Sequence, residues 1–149
     1  MIAVIQRVSK ASIDIDGERI TQIGKGLLVL LGVMAEDSEL DSQYLVNKII
    51  NFRIFNDEND KMNLSIKEIN GEILVVSQFT LCADWLKGRR PSFIKAAQSE
   101  LGNALYIKFI EGIQQNGINT KTGKFGAMMD VSLVNEGPVT FVLDSALKR

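Results

Sequence analysis

Three short segments carry side chains whose type and spacing suit chemistry. In Ser77-Gln78-Phe79-Thr80, two hydroxyls and an amide follow directly on the apolar run Ile73-Leu74-Val75-Val76. Polar residues that end a buried strand present their side chains and backbone N–H groups at one sheet end, and such groups stabilise an oxyanion without a charged side chain. The same four residues equally suit an ordinary strand-end turn with satisfied hydroxyls. Lys87, Arg89 and Arg90 surround Gly88 close to Trp85, a combination that suits phosphate and base contacts or a solvated loop. In Asn135-Glu136-Gly137-Pro138-Val139-Thr140, a Gly-Pro pair stands between two apolar stretches, where the backbone is expected to turn sharply. Cis isomers make up only about 5–6% of X–Pro bonds, so the sequence leaves the isomer of Gly137-Pro138 open.

What the chain lacks narrows the chemistry further. There is no histidine, which removes the Ser-His-Asp triad, the Cys-His pair, a His-ligated metal and the usual general base near neutral pH. The single cysteine, Cys82, excludes a structural zinc cluster and an internal disulfide, and points to a reducing compartment, with the cytoplasm as the expected location. Seventeen basic against eighteen acidic side chains give a net charge of -1. A nucleic-acid partner must therefore be held by a local basic patch, because the global field offers no attraction. Gly24-Lys25-Gly26 precedes a strand and not a helix, which disqualifies it as a phosphate loop. Asp57-Glu58-Asn59-Asp60-Lys61-Met62, with Glu68 beyond it, mimics part of a calcium loop. Lys61 stands at a ligand position and Met62 replaces the required glycine, so the segment reads as a solvated acidic loop. Neither a metal nor another cofactor is expected. The apolar run Leu27 to Leu31 is far too short to span a bilayer, and the N-terminus lacks the pattern of a signal peptide, so no membrane association is expected.

The elements that must position these segments follow from periodicity. Ile2 to Val8 is rich in branched residues, and Ala11, Ile13 and Ile15 alternate with polar neighbours, the period of a half-buried strand. Asp16-Gly17 is a hairpin turn, Arg19 to Ile23 the return strand, and Leu27 to Val33 a strand buried on both faces. Ser38 with Asp41 forms a capping box, and Leu45, Ile49 and Phe52 predict a first helix through about Phe55. Pro91-Ser92 is expected to open a second helix carrying Leu101, Leu105, Phe109 and Ile113 every four residues, closed by Asn116-Gly117. Strands return at Ile118 to Thr120, Met128 to Val134 and Val139 to Leu143, the last two joined by the Gly-Pro turn. A chain of 149 residues, 46% of them apolar, fits one domain over residues 1–149. The expected class is α+β, a curved, mainly antiparallel sheet or open barrel with two main helices packed on one side.

In their order and spacing, Ile5-Gln6-Arg7-Val8, Ser77-Gln78-Phe79-Thr80-Leu81, Arg90-Pro91-Ser92-Phe93, Phe125-Gly126-Ala127 and Asn135-Glu136-Gly137-Pro138-Val139-Thr140 resemble the D-aminoacyl-tRNA deacylases, also called D-tyrosyl-tRNA deacylases, over essentially the whole chain. The resemblance implies a cytoplasmic homodimeric hydrolase that proofreads translation by cleaving the ester between a D-amino acid and the 3′-terminal adenosine of tRNA. It implies that Gly137 and Pro138, through a cis bond, reach into the partner's active site and that Arg7 holds that motif. Backbone N–H groups around Ser77, Phe79 and Thr80, with the Gln78 side chain, would then polarise the ester, assisted by the substrate's 2′-hydroxyl, with Thr80 in a minor role. Phe125, Met129 and Ala97 would surround the adenine and ribose, and Lys87, Arg89 and Arg90 would meet tRNA phosphates. Met129 suits core packing equally well. Exclusion of L side chains by rigid carbonyls leaves glycine without a collision, so glycyl-tRNA, including glycine mischarged on tRNA-Ala, is an expected substrate too. Glu136 stands where aspartate is frequent in the family, and Arg89 where a polar residue is common. Two rival readings are a module that binds nucleic acid without cleaving it and an esterase with Thr80 as nucleophile.

Overall fold

In the computed structural model, which describes residues 1–147, the branched N-terminal sequence forms one 14-residue strand, β1 (Ile2–Ile15). Asp16 and Gly17, at φ of 51° and 79°, make the turn, which matches the twist of the flanking strands. β2 (Glu18–Ile23) returns along the second half of β1 and β3 (Gly26–Gly32) along its first half. The chain continues through α1 (Glu39–Ile50), a small hairpin of β4 (Phe55–Asn56) and β5 (Met62–Leu64), β6 (Glu72–Ser77), α2 (Ser99–Gln115), β7 (Asn119–Thr122) and β8 (Asp130–Asp144). β1 holds antiparallel ladders with β2, β3 and β8, while β3 with β6 and β6 with β7 run parallel. The result is a curved, nearly closed mixed sheet. Parallel neighbours require crossover connections, and α1 and α2 supply them. Among the described residues no helix is long and apolar enough to cross a membrane.

Both faces of the sheet are covered. Leu27, Val29 and Leu31 of β3 and Ile73 and Val75 of β6 pack under the helices against Leu45, Ile49, Leu105, Phe109 and Ile113. Leu28, Leu74 and Val76, of the opposite parity, pack in a second cluster with Ile13 and Ile23. β1 serves both faces by changing phase. Ala3 and Ile5 lie under the helices, whereas Ala11 and Ile13, of the same parity, lie with Val8 in the other cluster. The register against β8 shifts between Val8 and Lys10, and one extra residue in a strand reverses which side chains face which way.

Three expectations are corrected by long-range pairing. α1 stops at Ile50, short of Phe55; Phe52 leaves the helix to place its ring 5.0 Å from Phe141. Pro91-Ser92 does not open α2, which starts at Ser99. Residues 92–97 are held elsewhere: Ser92 exchanges two backbone hydrogen bonds with Asp84, Ala35 N–H donates to Lys95 O, and Ala97 N–H donates to Val33 O. Leu101 is 37% exposed because Gly102, not Leu101, occupies the stripe with Leu105, Tyr106, Phe109 and Ile113. Finally, Gly137-Pro138 does not turn the chain between two strands. Both flanks belong to β8 and pair with the same strand, β1, in the same sense. The acidic segment at 57–61 is the β4–β5 turn, in which the Asp57 carboxylate accepts from Asn59 N–H, Lys61 N–H and the Asn63 amide.

Gly26 begins the parallel ladder opposite Glu72. A Cβ there would overlap the Glu72 carbonyl oxygen and stand 2.8 Å from its nitrogen. Because the obstacle is backbone on both sides, Gly26→Ala is expected to destabilise the fold by at least about 3 kcal/mol, at the upper end of overpacking costs. Urea unfolding followed by far-UV circular dichroism checks this, and a loss under about 1 kcal/mol would contradict the close approach.

Candidate functional site

β6 ends by running out of the sheet. Gln78 N–H donates to Leu31 O at 2.8 Å, and the chain then winds into a single 3-10 turn over Phe79–Cys82. That turn rests on the end of β3, where Gly32 makes room: a Cβ at Gly32 would stand 3.0 Å from Leu81 Cβ and 3.1 Å from both Cys82 Sγ and Gln78 O. Cys82 is buried, donates its thiol to Val33 O at 3.3 Å, and has its pKa raised by that burial. The first N–H groups of a helical turn find no acceptor within it. Among the described residues, those of Phe79 and Thr80 have no protein acceptor.

These residues form one wall of a cleft of about 620 Å³. Ala97 and the start of α2 at Ser99 and Gly102 form a second wall, and Phe125 through Met129 with Val131 form a third. Tyr106 holds the second and third walls to β6. Its hydroxyl donates to Val75 O at 3.0 Å, its ring stands 5.7 Å from Phe125, and burial pushes its pKa up to about 12, so it remains a neutral donor. Seven residues singled out in the sequence, Ser77, Gln78, Phe79, Thr80, Ala97, Phe125 and Met129, meet in this cleft. Ser99, Gly102 and Met128 line it without having been singled out. A glycine inside a helix was the available signal for Gly102.

No residue lining the cleft is ionisable. The side chain of Gln78 donates to Thr80 Oγ1 at 2.5 Å, so the threonine hydroxyl is an acceptor there. Among the described residues it has no carboxylate or amine as a hydrogen-bond partner. The site therefore offers neutral dipoles, two unspent backbone N–H groups and apolar walls. It suits the binding of an uncharged planar group and the stabilisation of a developing oxyanion more than proton transfer by a side chain.

Arg7, Gly137 and Pro138 lie outside the cleft of their own chain. Across from Arg7 on β1, residues 136–139 of β8 are left without ladder partners, since Gln6 pairs with Thr140 and Val8 with Asn135. The Gly137-Pro138 bond within this projection is cis, and both residues are exposed. Buried Arg7 holds its base: Nε donates to Glu136 O at 3.0 Å, and Nη1 donates to Ile54 O at 2.8 Å and Asn56 Oδ1 at 3.0 Å. Asn135 clasps both ends, donating from its amide to Arg7 O and Val139 O at 3.0 and 3.2 Å.

Lys87, Arg89 and Arg90 lie outside the cleft too, at the exposed tip of a hairpin closed by the Asp84 and Ser92 backbones. The hairpin touches the cleft wall through Phe93, whose ring stands 5.0 Å from that of Phe79 at 63°.

Residues 4–144 match the family model described as D-Tyr-tRNA(Tyr) deacylase. A protein of Desulfatibacillum aliphaticivorans named D-aminoacyl-tRNA deacylase is 57% identical, covering 97% of this chain and 99% of its own. One of the same name from Clostridioides difficile is 55% identical, covering 98% of each chain. Among solved structures, one titled c-Myc DNA Unwinding Element Binding Protein superposes with a TM-score of 0.91 at 42% identity, over 97% of this chain and 98% of that one. Another, titled as a structural analysis of a probable eukaryotic D-amino acid tRNA deacylase, shares the fold with a TM-score of 0.82 at 17% identity, over 95% of this chain and 97% of that one.

Arg7→Met removes the donor to two main-chain carbonyls and one amide oxygen at the base of the projection. The expected cost is about 2–4 kcal/mol, since buried acceptors are left unpaired. Faster amide hydrogen exchange at Val139 and Thr140 than in the rest of β8 is expected with it. Unchanged exchange would show that Arg7 does not hold the projection.

Proposed function

The chain belongs to the D-Tyr-tRNA(Tyr) deacylase family, and from that premise we propose that it hydrolyses the ester joining a D-amino acid to the 3′-terminal adenosine of tRNA. The observation that carries this reading is the meeting of Ser77 to Thr80 with Ala97, Phe125 and Met129 around one uncharged cleft. Phe125, Met129 and Ala97 pack against the adenosine, and the ester carbonyl lies against the N–H groups of Phe79 and Thr80. Water adds to that carbonyl, the two N–H groups and the Gln78 amide stabilise the tetrahedral oxyanion, and the carbon–oxygen bond to the ribose breaks. Free tRNA recovers its hydroxyl and the amino acid leaves as its carboxylate. The substrate's neighbouring 2′-hydroxyl assists the water. An aminoacyl ester is already activated, and an unactivated threonine is a poor nucleophile. The Gln78 hydrogen bond into Thr80 therefore favours a positioning role for this hydroxyl over direct attack.

In this reading the enzyme is a homodimer, and the exposed Gly137 and Pro138 of one subunit complete the cleft of the other. Two observations support it. The projection lies outside its own chain's cleft. Among the described residues β8, 15 residues long, pairs only with β1 and carries exposed Val134 and Val142, and an open apolar edge invites a partner. Rigid main-chain carbonyls close to the substrate Cα collide with an L side chain and admit a D one. A thousandfold preference needs only about 4 kcal/mol, which one such collision supplies. Glycine escapes the collision, so glycyl-tRNA, including glycine mischarged on tRNA-Ala, is also a substrate. The exposed Lys87, Arg89 and Arg90 meet phosphates, making binding salt-sensitive. Such proofreading of aminoacyl-tRNA takes place in the cytoplasm. The solved structure titled as a DNA unwinding element binding protein favours one second reading, a nucleic-acid-binding module without turnover.

Side-by-side incubation with D-tyrosyl-tRNA and L-tyrosyl-tRNA, with chelator present, is expected to release only the D-amino acid. Cleavage of neither ester would leave the binding module in the lead. A mixing experiment tests the shared site. Gly102→Trp fills the cleft, and Gly137→Val blunts the projection; each is expected to inactivate its own homodimer. Because the two-fold contact is reciprocal, refolding the two variants together should restore about a quarter of the wild-type rate, since half the dimers regain one good site. No recovery, with heterodimers present, would place Gly137 and Pro138 in their own subunit's chemistry.

A further inference from the structure

The hairpin at residues 84–92 holds a ring that the reaction does not use. Trp85 is 74% exposed and the adjacent Leu86 is 77% exposed. Among the described residues neither is covered by another part of the chain. Next to them stand Lys87, Arg89 and Arg90, all exposed and, among the described residues, without a carboxylate in ion-pair distance. The one acid of the segment, Asp84, is already committed. It accepts from Leu86 N–H at 3.1 Å, pairs with Lys95 at 3.4 Å, and these contacts lower its pKa, the Leu86 N–H contributing most. The chain as a whole carries a net charge of -1, so this excess of cations is local.

The hairpin is also anchored at its base. Asp84 and Ser92 exchange backbone hydrogen bonds of 2.8 and 2.9 Å at its base. Just beyond that base, the Phe93 ring stands 5.0 Å from that of Phe79 on the cleft wall. A cleft of about 620 Å³ has room for one nucleoside with its acyl group. In the tRNA-ester reading, on which this step rests, the rest of the strand must leave over the rim.

We propose that this hairpin receives the unpaired nucleotides that precede the terminal adenosine, with a base stacked on Trp85 and the adjoining phosphates against Lys87, Arg89 and Arg90. An exposed aromatic ring beside uncompensated cations matches a strand that has a π-face and a negative charge at each nucleotide. Stacking of this kind tolerates any base, because every base has a π-face. The hairpin thus binds the strand without reading its sequence and feeds its end into the cleft.

Trp85 is the only tryptophan of the chain, so its emission reports this site alone. Titration with a short single-stranded RNA ending in an unacylated adenosine is expected to quench that emission at low salt. Quenching should fall as salt rises, and a blunt duplex of the same length should quench far less. Kinetics supply the second arm. Trp85→Ala is expected to raise KM for D-tyrosyl-tRNA about tenfold more than KM for D-tyrosyl-adenosine, with kcat for the tRNA ester nearly kept. Trp85→Phe should recover most of the difference. Equal quenching by single strand and duplex, or a KM ratio within twofold of wild type, overturns the proposal. So does quenching by phosphatidylserine vesicles but not by RNA, which would mark a membrane surface. If the wild type cleaves neither ester, the deacylase reading fails, and the titration still decides whether the hairpin binds the strand.

Discussion

Two parallel strands cannot be joined by a hairpin, so the pairing of β3 with β6 obliges the chain to leave the sheet after Gly32 and re-enter it at Glu72. Most of the architecture follows from that detour and from its repetition between β6 and β7. Each excursion carries a helix, and both helices cover one face. Each parallel strand then ends at the same rim, which is where Ser77 to Thr80 leave β6. The bare backbone of Gly26 against Glu72 sets the start of the ladder, and the bare backbone of Gly32 seats the turn at its end. Side chains in the cleft are placed by main chain that cannot approach so closely with any other residue.

Uncharged dipoles and exposed cations are kept apart on this molecule. The cleft holds no ionisable group, so its field is set by peptide dipoles that do not titrate and need no reorganisation when an oxyanion forms. The cations stand on a separate hairpin at the rim. A polyanion can therefore be gripped without bringing ammonium or guanidinium groups close to the reacting carbonyl. This division fits the proposed substrate, in which an uncharged ester linkage stands at the end of a highly charged strand.

Local signals in the sequence described local structure well. Asp16-Gly17, the capping box at Ser38 and Asp41, the doubly buried run from Leu27 and the stop at Asn116-Gly117 all depend on residues a few positions apart. The misreadings share a cause, since each needed a partner far along the chain. Pro91 suits a first helical position, yet the backbone after it is taken up by Asp84, Val33 and Ala35. Gly-Pro suits a turn, yet both of its flanks find the same strand more than 120 residues away. Most of the cleft was legible because the motif residues cluster there. Ser99 and Met128 were not, because nothing in their neighbourhood marks them until α2 and the segment before β8 converge.

The exposed Gly137 and Pro138 stand like an arch between two abutments, with Val139 buried in the core at one foot. Its feet are fixed by ladders on either side, from Thr140 onward and from Asn135 back, and both ladders are laid on β1. Lengthening or shortening the arch would alter how far it stands out but not where it stands, because neither ladder counts the residues between them. The fold thus separates reach from register. Related sequences could vary the height of this one feature while Glu136 and Val139 keep their places against Arg7, Asn135 and the core, a freedom that an ordinary hairpin tip, whose length dictates its strand pairing, does not have.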